Sequence, residues 1–462
     1  MKSTVFSVWI VLVGLVGCRS TPAPGPLIVL ASFDTTRVDS LSAYGGKDAN
    51  TPVVDGLAER GVRFNWAFSP LPTTLGSHTS MMSGQDTHGH GVARNGSPVP
   101  ADVPLLAEKL ADAGWDRIAV VGAMPLESDM GLDRGFRVYS DTQHSAWLGA
   151  PQRSAAEVNA AALKAMDDRP DGQPTFLFVH YYDPHSPWDA APQEIRDKFV
   201  SPKFKVNQGG NDGLAMFRNR AHRGMRLNRS RVENTRKLYL AQVHWTDQQF
   251  GALLDGLRER GLMDDTLVIM TSDHGEMLDE AHLGQVYTHG PDVDLPVIRV
   301  PMIVAGTGQF QTPTQVVERR VRLQDIANTV LAAAGLPTDL GNGEDLATVW
   351  AGAAGPPPAH FAEATRSGVT RSKGRADADQ WPNLQYERAV IHEEAMLVKT
   401  PWKKRAPKLY AIDAVQSPLE NPALTQQLES SLQAWDAAAP NTGAQEMDAE
   451  TEAALRALGY LE

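Results

Sequence analysis

The chain has 462 residues, 42% of them hydrophobic, enough to bury a large core in one or more globular domains. Against 43 Lys and Arg stand 55 Asp and Glu, a net charge of −12. That balance argues against a nucleic-acid binder, which needs a basic face, and leaves any anionic ligand to be held by local cations.

Lys2 precedes an apolar run over 5–16 that is too short to span a bilayer and reads as a targeting segment. It runs into Leu15-Val16-Gly17-Cys18, which resembles a bacterial lipobox. On that resemblance 1–18 is a lipoprotein signal peptide, and Cys18 is lipidated after cleavage before it. Cys18 is the only cysteine, so no disulfide framework accounts for it. Residues 19–26, rich in Thr, Pro and Gly, read as a tether. Arg19 is not the Asp that retains such proteins at an inner membrane. The expected address is therefore the bacterial cell envelope, at the outer membrane facing the periplasm or cell surface.

From Leu27 short apolar runs alternate with amphipathic stretches of helix length, the pattern of an α/β fold whose parallel sheet is covered on both faces. Strands are expected at 27–32, 117–121, 175–179, 266–271 and 301–305. One helix is expected to start near Asp102, with Asp as cap and Pro104 in the first turn. Others are expected over 235–260 and over 323–334, stopping at Gly335. A basic segment, 203–237, carries ten Lys or Arg against Asp212 and Glu233. It reads as a solvated face or as a rim that attracts an anionic substrate. After about Gly341 Pro and Ala clusters appear, followed by strand-like runs at 388–398 and 408–412 and a helix over 449–458. The organisation is a catalytic domain over 27–340 and a smaller α+β subdomain over 341–462.

In an open α/β sheet, ligands bind outside the carboxyl ends of the strands. Asp34 follows the first strand there, and Asp273 with His274 follows the 266–271 strand inside TSDHGE. Together they make an oxygen and nitrogen ligand set suited to zinc, manganese or calcium. In PTTLGSHTSMMSG, Thr74 falls at or near a helix N-terminus. It reads either as a simple cap or as part of a site where free amides and the helix dipole hold an anion and help to ionise a hydroxyl.

The motifs LIVLASFDTTRVDSLSAYG, NTPVVDGLAERGVRFNWAFS, TTLGSHTSMMSG, GHGV, GLDRGF, FLFVHYYDPHSPW, TSDHGE, THG and VPMIVAG come in that order. Their combination resembles the sulfatase family of the alkaline phosphatase superfamily from about Leu27 to Gly308, and more loosely in the tail KLYAIDAVQSPLENPAL. The resemblance implies a mixed, mostly parallel sheet flanked by helices. It implies a divalent metal held by Asp34, Thr74, Asp273 and His274, with Thr74 as nucleophile. His78 stands where the family often has Arg, and His185 and His289 match positions that contact the ester oxygen or the anion. His90, His180, His244 and His282 read as structural.

Three positions depart from the family pattern. Formylglycine needs Cys or Ser at the nucleophile position; here it is Thr74, so none is expected. The paired Asp-Asp reads Phe33-Asp34, and Asp-Asn reads Asp273-His274. All three resemble the threonine branch of the superfamily, whose members include phosphodiesterases and phosphoryl transferases. The expected substrate is an anionic ester, with a sulfated glycan, a phosphodiester lipid and a cell-wall polymer fitting equally. Several readings stay open: sulfate or phosphate chemistry, attack by Thr74 or by a metal-activated water, and one metal or a second at Asp183, His185 and His289. A surface binding lipoprotein without catalysis is the reading from another class.

Overall fold

A computed structural model of the chain describes residues 24–141, 153–201, 204, 229–278, 280, 287–290, 292–365, 385–400, 406–413 and 416–439. Cys18, most of the basic segment, His282 and the expected last helix lie outside the described residues.

The first strand, β1 (Leu27–Phe33), is buried along its whole length, as a central strand covered on both faces must be. Its side chains alternate: Leu27, Val29, Ala31 and Phe33 enter one core, Ile28 and Leu30 the other. Around it lie β2 (Val62–Phe68), β3 (Asp116–Val121), β4 (Val138–Ser140), β5 (Thr175–Tyr181), β6 (Thr266–Thr271), β7 (Arg299–Gly306) and β8 (Gln315–Val317). The order across the sheet is β4-β3-β5-β1-β6-β7-β2-β8, and the two-residue β9 (Val321–Arg322) also pairs with β2. Among the described strands of this sheet β7 alone runs against its neighbours, β6 and β2. The fold is therefore mixed and mostly parallel.

Each strand expected from the sequence is present. β2 and the short β4, β8 and β9 were not expected, because half-buried or very short segments carry no continuous apolar run. Among the helices are α1 (Thr74–Ser83), α2 (Leu106–Asp112), α3 (Ala155–Asp167), α4 (Arg229–Glu259), α5 (Asp325–Ala333) and α6 (Leu346–Trp350). α2 begins after Leu105, not at Asp102, and its Glu108 carboxylate accepts the Leu105 amide, so Pro104 lies before the helix. Leu346 and Val349 of α6 still pack in the core of the large sheet, and the antiparallel unit begins beyond them. It consists of β10 (His360–Thr365), β11 (Gln385–His392), β12 (Ala395–Lys399) and β13 (Lys408–Ala411), covered by α7 (Pro422–Ala437).

Register decides what meets at the carboxyl edge. Ser32 of β1 pairs with His180 of β5 on one side and with Thr271 of β6 on the other. Asp34, two residues past Ser32, shares its face, as does His180 across the ladder. Phe33 points to the other face, where its ring packs edge-on against Tyr181 and Phe250, each 5.5 Å away. An acid at position 33 would thus enter an apolar core. Phe33→Asp is expected to lower the unfolding free energy by about 4 kcal/mol or more and to add no metal binding. Urea denaturation reads the first effect, and an unchanged midpoint would show that Phe33 does not support the core.

Candidate metal centre and active site

The loops after β1 and β6 are stitched to each other before any ligand is considered. Asp273 Oδ1 accepts the amides of Thr35 at 3.1 Å and His274 at 2.8 Å. Ser272 Oγ accepts the Thr36 amide and donates to the His274 carbonyl. From α4, the Tyr239 hydroxyl accepts the Arg37 amide and donates to the Thr35 carbonyl. The buried Arg37 guanidinium closes the loop, held by Asp39, by Glu280 and by the Glu276 carbonyl. Gly275 is required here, because a Cβ would come within 2.0 Å of the Pro296 carbonyl oxygen.

Inside this frame Asp34, Asp273 and His274 are fully buried, and one ligand atom from each lies within 4.8 Å of the others. Both Asp34 oxygens, Asp273 Oδ2 and His274 Nε2 make no hydrogen bond. Buried polar atoms are normally paired, and leaving one unpaired costs about 1–3 kcal/mol, so unpaired atoms of three neighbouring side chains favour a bound cation. His274 Nδ1 lies 2.9 Å from the Gly275 carbonyl, which can only accept; Nε2 is then the lone-pair nitrogen, as a metal ligand must be. Burial, reinforced by the charge of Asp273, pushes the Asp34 carboxyl well above the usual carboxylate range. Burial raises Asp273 too, but the adjacent His274, with the amide it donates, outweighs it and holds that group low. Two carboxylates of unequal proton affinity thus face each other, and a dication relieves both.

Thr74 is the first residue of α1, a helix buried along its whole length in spite of its hydroxyls. Ser77, Thr79 and Ser80 bond to the carbonyls of Leu71, Leu75 and Gly76. Thr74 Oγ1 has no such partner and is fully buried. The Leu75 amide, one of the free donors of the helix start, is taken by Asn95 Oδ1. His78 ties this end to the metal group: its Nδ1 donates to the Thr74 carbonyl at 2.7 Å and lies 3.9 Å from Asp273 Oδ2. Its Nε2 is 2.9 Å from Ser32 Oγ, so both ring nitrogens are engaged. Burial lowers its pKa to about 3, and the ring is neutral.

Two further histidines extend outward. The His289 ring lies 4.6 Å from that of His274 and 5.0 Å from that of His185. His289 Nδ1 is 3.1 Å from Glu276 Oε2, while His185 Nδ1 lies between the Tyr182 hydroxyl and the Ser186 carbonyl. Burial brings His185 down to about 3. Asp183 turns elsewhere: its oxygens accept the Ala155 amide at the start of α3 and the Trp245 indole N–H. Among the described residues, no group of metal-holding geometry brings Asp183, His185 and His289 together. His90 is fully occupied by Ser80 and Val92, as a structural histidine should be, and His244 binds the Asn50 carbonyl.

Sequence reasoning left His180 as structural, yet its Nε2 stands 3.2 Å from Asp34 Oδ2. The signal was present in the alternation of FLFVHYY, which puts His180 on the face of Phe176 and Phe178, in register with Ser32. The position beside Asp34 that bears on the site is Thr35, with a left-handed backbone (φ 51°) and a buried hydroxyl without a hydrogen bond.

A mostly parallel α/β sheet carrying a buried carboxylate and imidazole cluster beside a helix-start hydroxyl defines a class of candidate metallohydrolases. The sulfatase family pattern matches residues 26–336, and the chain belongs to that family. It is 25% identical to the ulvan-active sulfatase of Formosa agariphila over 407 residues, 81% of this chain and 73% of that one. With human N-sulphoglucosamine sulphohydrolase it shares 26% identity over 335 residues, 69% and 62% of the two chains. The crystal structure of the phosphonate monoester hydrolase of Agrobacterium radiobacter has the same fold, with TM-score 0.69, 21% identity and coverage of 89% and 95%.

The raised Asp34 pKa has a sign that can be tested. A carboxyl whose folded pKa lies above its unfolded value subtracts stability as pH rises through the ordinary carboxylate range, and the loss persists above the raised value. Asp34→Asn is therefore expected to stabilise the metal-free protein at neutral pH by about 1–3 kcal/mol and to remove stabilisation by added metal. Thermal unfolding with chelator and with metal checks both; equal stabilisation of variant and wild type by metal would remove Asp34 from the ligand set.

Proposed function

We propose that this chain is a metal-dependent hydrolase of sulfate or phosphate esters, with Thr74 as nucleophile and Asp34, Thr74, Asp273 and His274 as metal ligands. The observation that carries the reading is the set of fully buried polar atoms without hydrogen bonds at the ends of β1 and β6 and the start of α1. A bound divalent cation supplies the positive charge that favours an ionised hydroxyl and an anionic ester.

The residues then divide the work. Thr74 gives up its proton to solvent, and its Oγ forms a bond to phosphorus or sulfur while the bond to the leaving oxygen breaks. That oxygen takes a proton from His289, which the Glu276 carboxylate holds in position at 3.1 Å. His185, neutral through burial, is suited to orient the ester and not to donate. Water displaces the Thr74 oxygen in the second step and returns the proton to His289. His78 fixes the Thr74 backbone and takes no proton itself.

Threonine favours phosphorus over sulfur in this scheme. A sulfothreonine lacks the geminal hydroxyl by which a formylglycine hydrate expels sulfate. The relatives named as sulfatases support the sulfate reading, in which a water replaces Thr74 as attacker. Nitrophenyl sulfate, phosphate monoester and phosphodiester, each tested with zinc, manganese or calcium, separate the two. Phosphodiester turnover is expected to be fastest and to fall on the order of 10³-fold or more in Thr74→Ala. Sulfate turnover that survives Thr74→Ala would overturn the role of Thr74 as nucleophile.

The substrate class is a sulfated glycan, a phosphodiester lipid or a cell-wall polymer, reached from a lipid anchor at Cys18. Among the described residues no helix is long and apolar enough to cross a membrane. Cys18→Ser is expected to move the protein from the membrane fraction to the soluble fraction of the producing bacterium; an unchanged distribution would exclude the anchor.

A further inference from the structure

Each of the other proposed ligands has something that orients it. Asp273 is fixed by two backbone amides through Oδ1. His274 is fixed by the Gly275 carbonyl, and the Thr74 backbone by His78. Asp34 is the exception, since neither of its carboxylate oxygens accepts a hydrogen bond. The neighbour placed to change this is His180, on the adjacent strand and one pair back in the ladder.

His180 also fails as a purely structural residue. It is fully buried, and neither ring nitrogen is in hydrogen-bond geometry. The buried His78 and His90 both engage their two nitrogens. In a strand position flanked by Val179 and Tyr181, an apolar side chain would pack without leaving two polar atoms unpaired. What His180 has instead is Nε2 at 3.2 Å from Asp34 Oδ2, and an edge contact with the His78 ring at 4.9 Å. The terminal torsion of an imidazole is soft, so turning the N–H onto the carboxylate costs little.

We infer that His180 is a positioning residue that orients the Asp34 carboxylate through Oδ2 and leaves Oδ1 to the metal. The inference rests on the metal reading above and adds to it a group that the ligand pattern does not contain. A carboxylate held by a histidine N–H has one rotamer to offer; a carboxylate without it must be ordered by the metal itself, which weakens binding.

The test is calorimetric titration of the metal-free protein with zinc, manganese and calcium, comparing wild type, His180→Leu and His180→Gln. His180→Leu is expected to weaken the tightest of the three metals about 10–100-fold while the metal-free melting temperature stays level or rises. His180→Gln, which keeps a donor near the position of Nε2, is expected to recover most of the affinity. Wild-type affinity in His180→Leu overturns the inference. So does equal weakness in both variants, which would make the ring nitrogen itself a ligand; a changed cobalt(II) absorption spectrum in His180→Gln would report the same. Failure of the underlying metal reading looks different, because wild type then takes up none of the three metals, and the inference falls with it.

Discussion

Two carboxylates buried side by side, Asp34 and Asp273, are the constraint around which this fold is arranged. Among the described residues neither is neutralised by a lysine or arginine salt bridge, and the nearby guanidinium, Arg37, is already engaged by Asp39 and Glu280. Such a pair resists burial, and the protein accepts it by over-determining the backbone beneath it. β1 lies between β5 and β6 at the centre of the sheet, with all seven residues buried, so the two loops that carry the acids emerge from its most rigid part. Ser272, Tyr239 and the Asp273 carboxylate then tie those loops to one another. Without that stitching, electrostatic repulsion would be relieved by local opening; with it, a cation is the cheaper solution.

The helix that begins at Thr74 obeys the same logic from the other side. α1 is a poor helix by composition, rich in Ser and Thr, and lies wholly in the interior. It is tolerated because its hydroxyls bond to carbonyls one turn back or to the preceding loop, and because Leu75, Met81 and Met82 pack in the core shared with β1 and β2. Within a helix that satisfies its other hydroxyls, the bare Thr74 hydroxyl stands out as a functional exception. His78 gains its meaning in the same way. It presents a neutral ring that bridges Thr74 and Ser32, so it aligns the helix with β1 instead of contributing charge.

How much of this was legible in sequence follows from the range of the interactions concerned. β1, β3, β5, β6 and β7 are central strands that read as apolar runs, and Asp34, Asp273 and His274 follow β1 and β6 in positions where an acid or imidazole is conspicuous. β2 is half-buried and interrupted by a register shift near Phe64, so its pattern is blurred. α7 was legible but went unread: Asn421 caps it and Pro422 occupies its first turn. His180 was hidden for a different reason. It lies inside an apolar strand, and its role appears only through the pairing of Ser32 with His180, a non-local fact that one strand does not state. Phe33 is the converse case: read beside Asp34 as the place of a paired acid in the family pattern, it is sent by the two-residue alternation into the opposite core.

The arrangement also bears on what kind of anion the centre can accept. In the proposed reading, two carboxylates and a divalent cation would sum to no net charge, and ionising Thr74 would make the assembly negative. Charge for the substrate must then come from elsewhere, and the neutral His78 and His185 supply none. Among the described residues, the dipole of α1 is one source, and His289 beside Glu276 is the proton donor of the proposed mechanism. In that reading the balance suits an ester with one negative charge, as in a sulfate monoester or a phosphodiester, better than a phosphate monoester dianion, which brings a second negative charge to the same centre. The same electrostatics therefore favours the two substrate types between which the family and the proposed role of Thr74 divide, and disfavours the third.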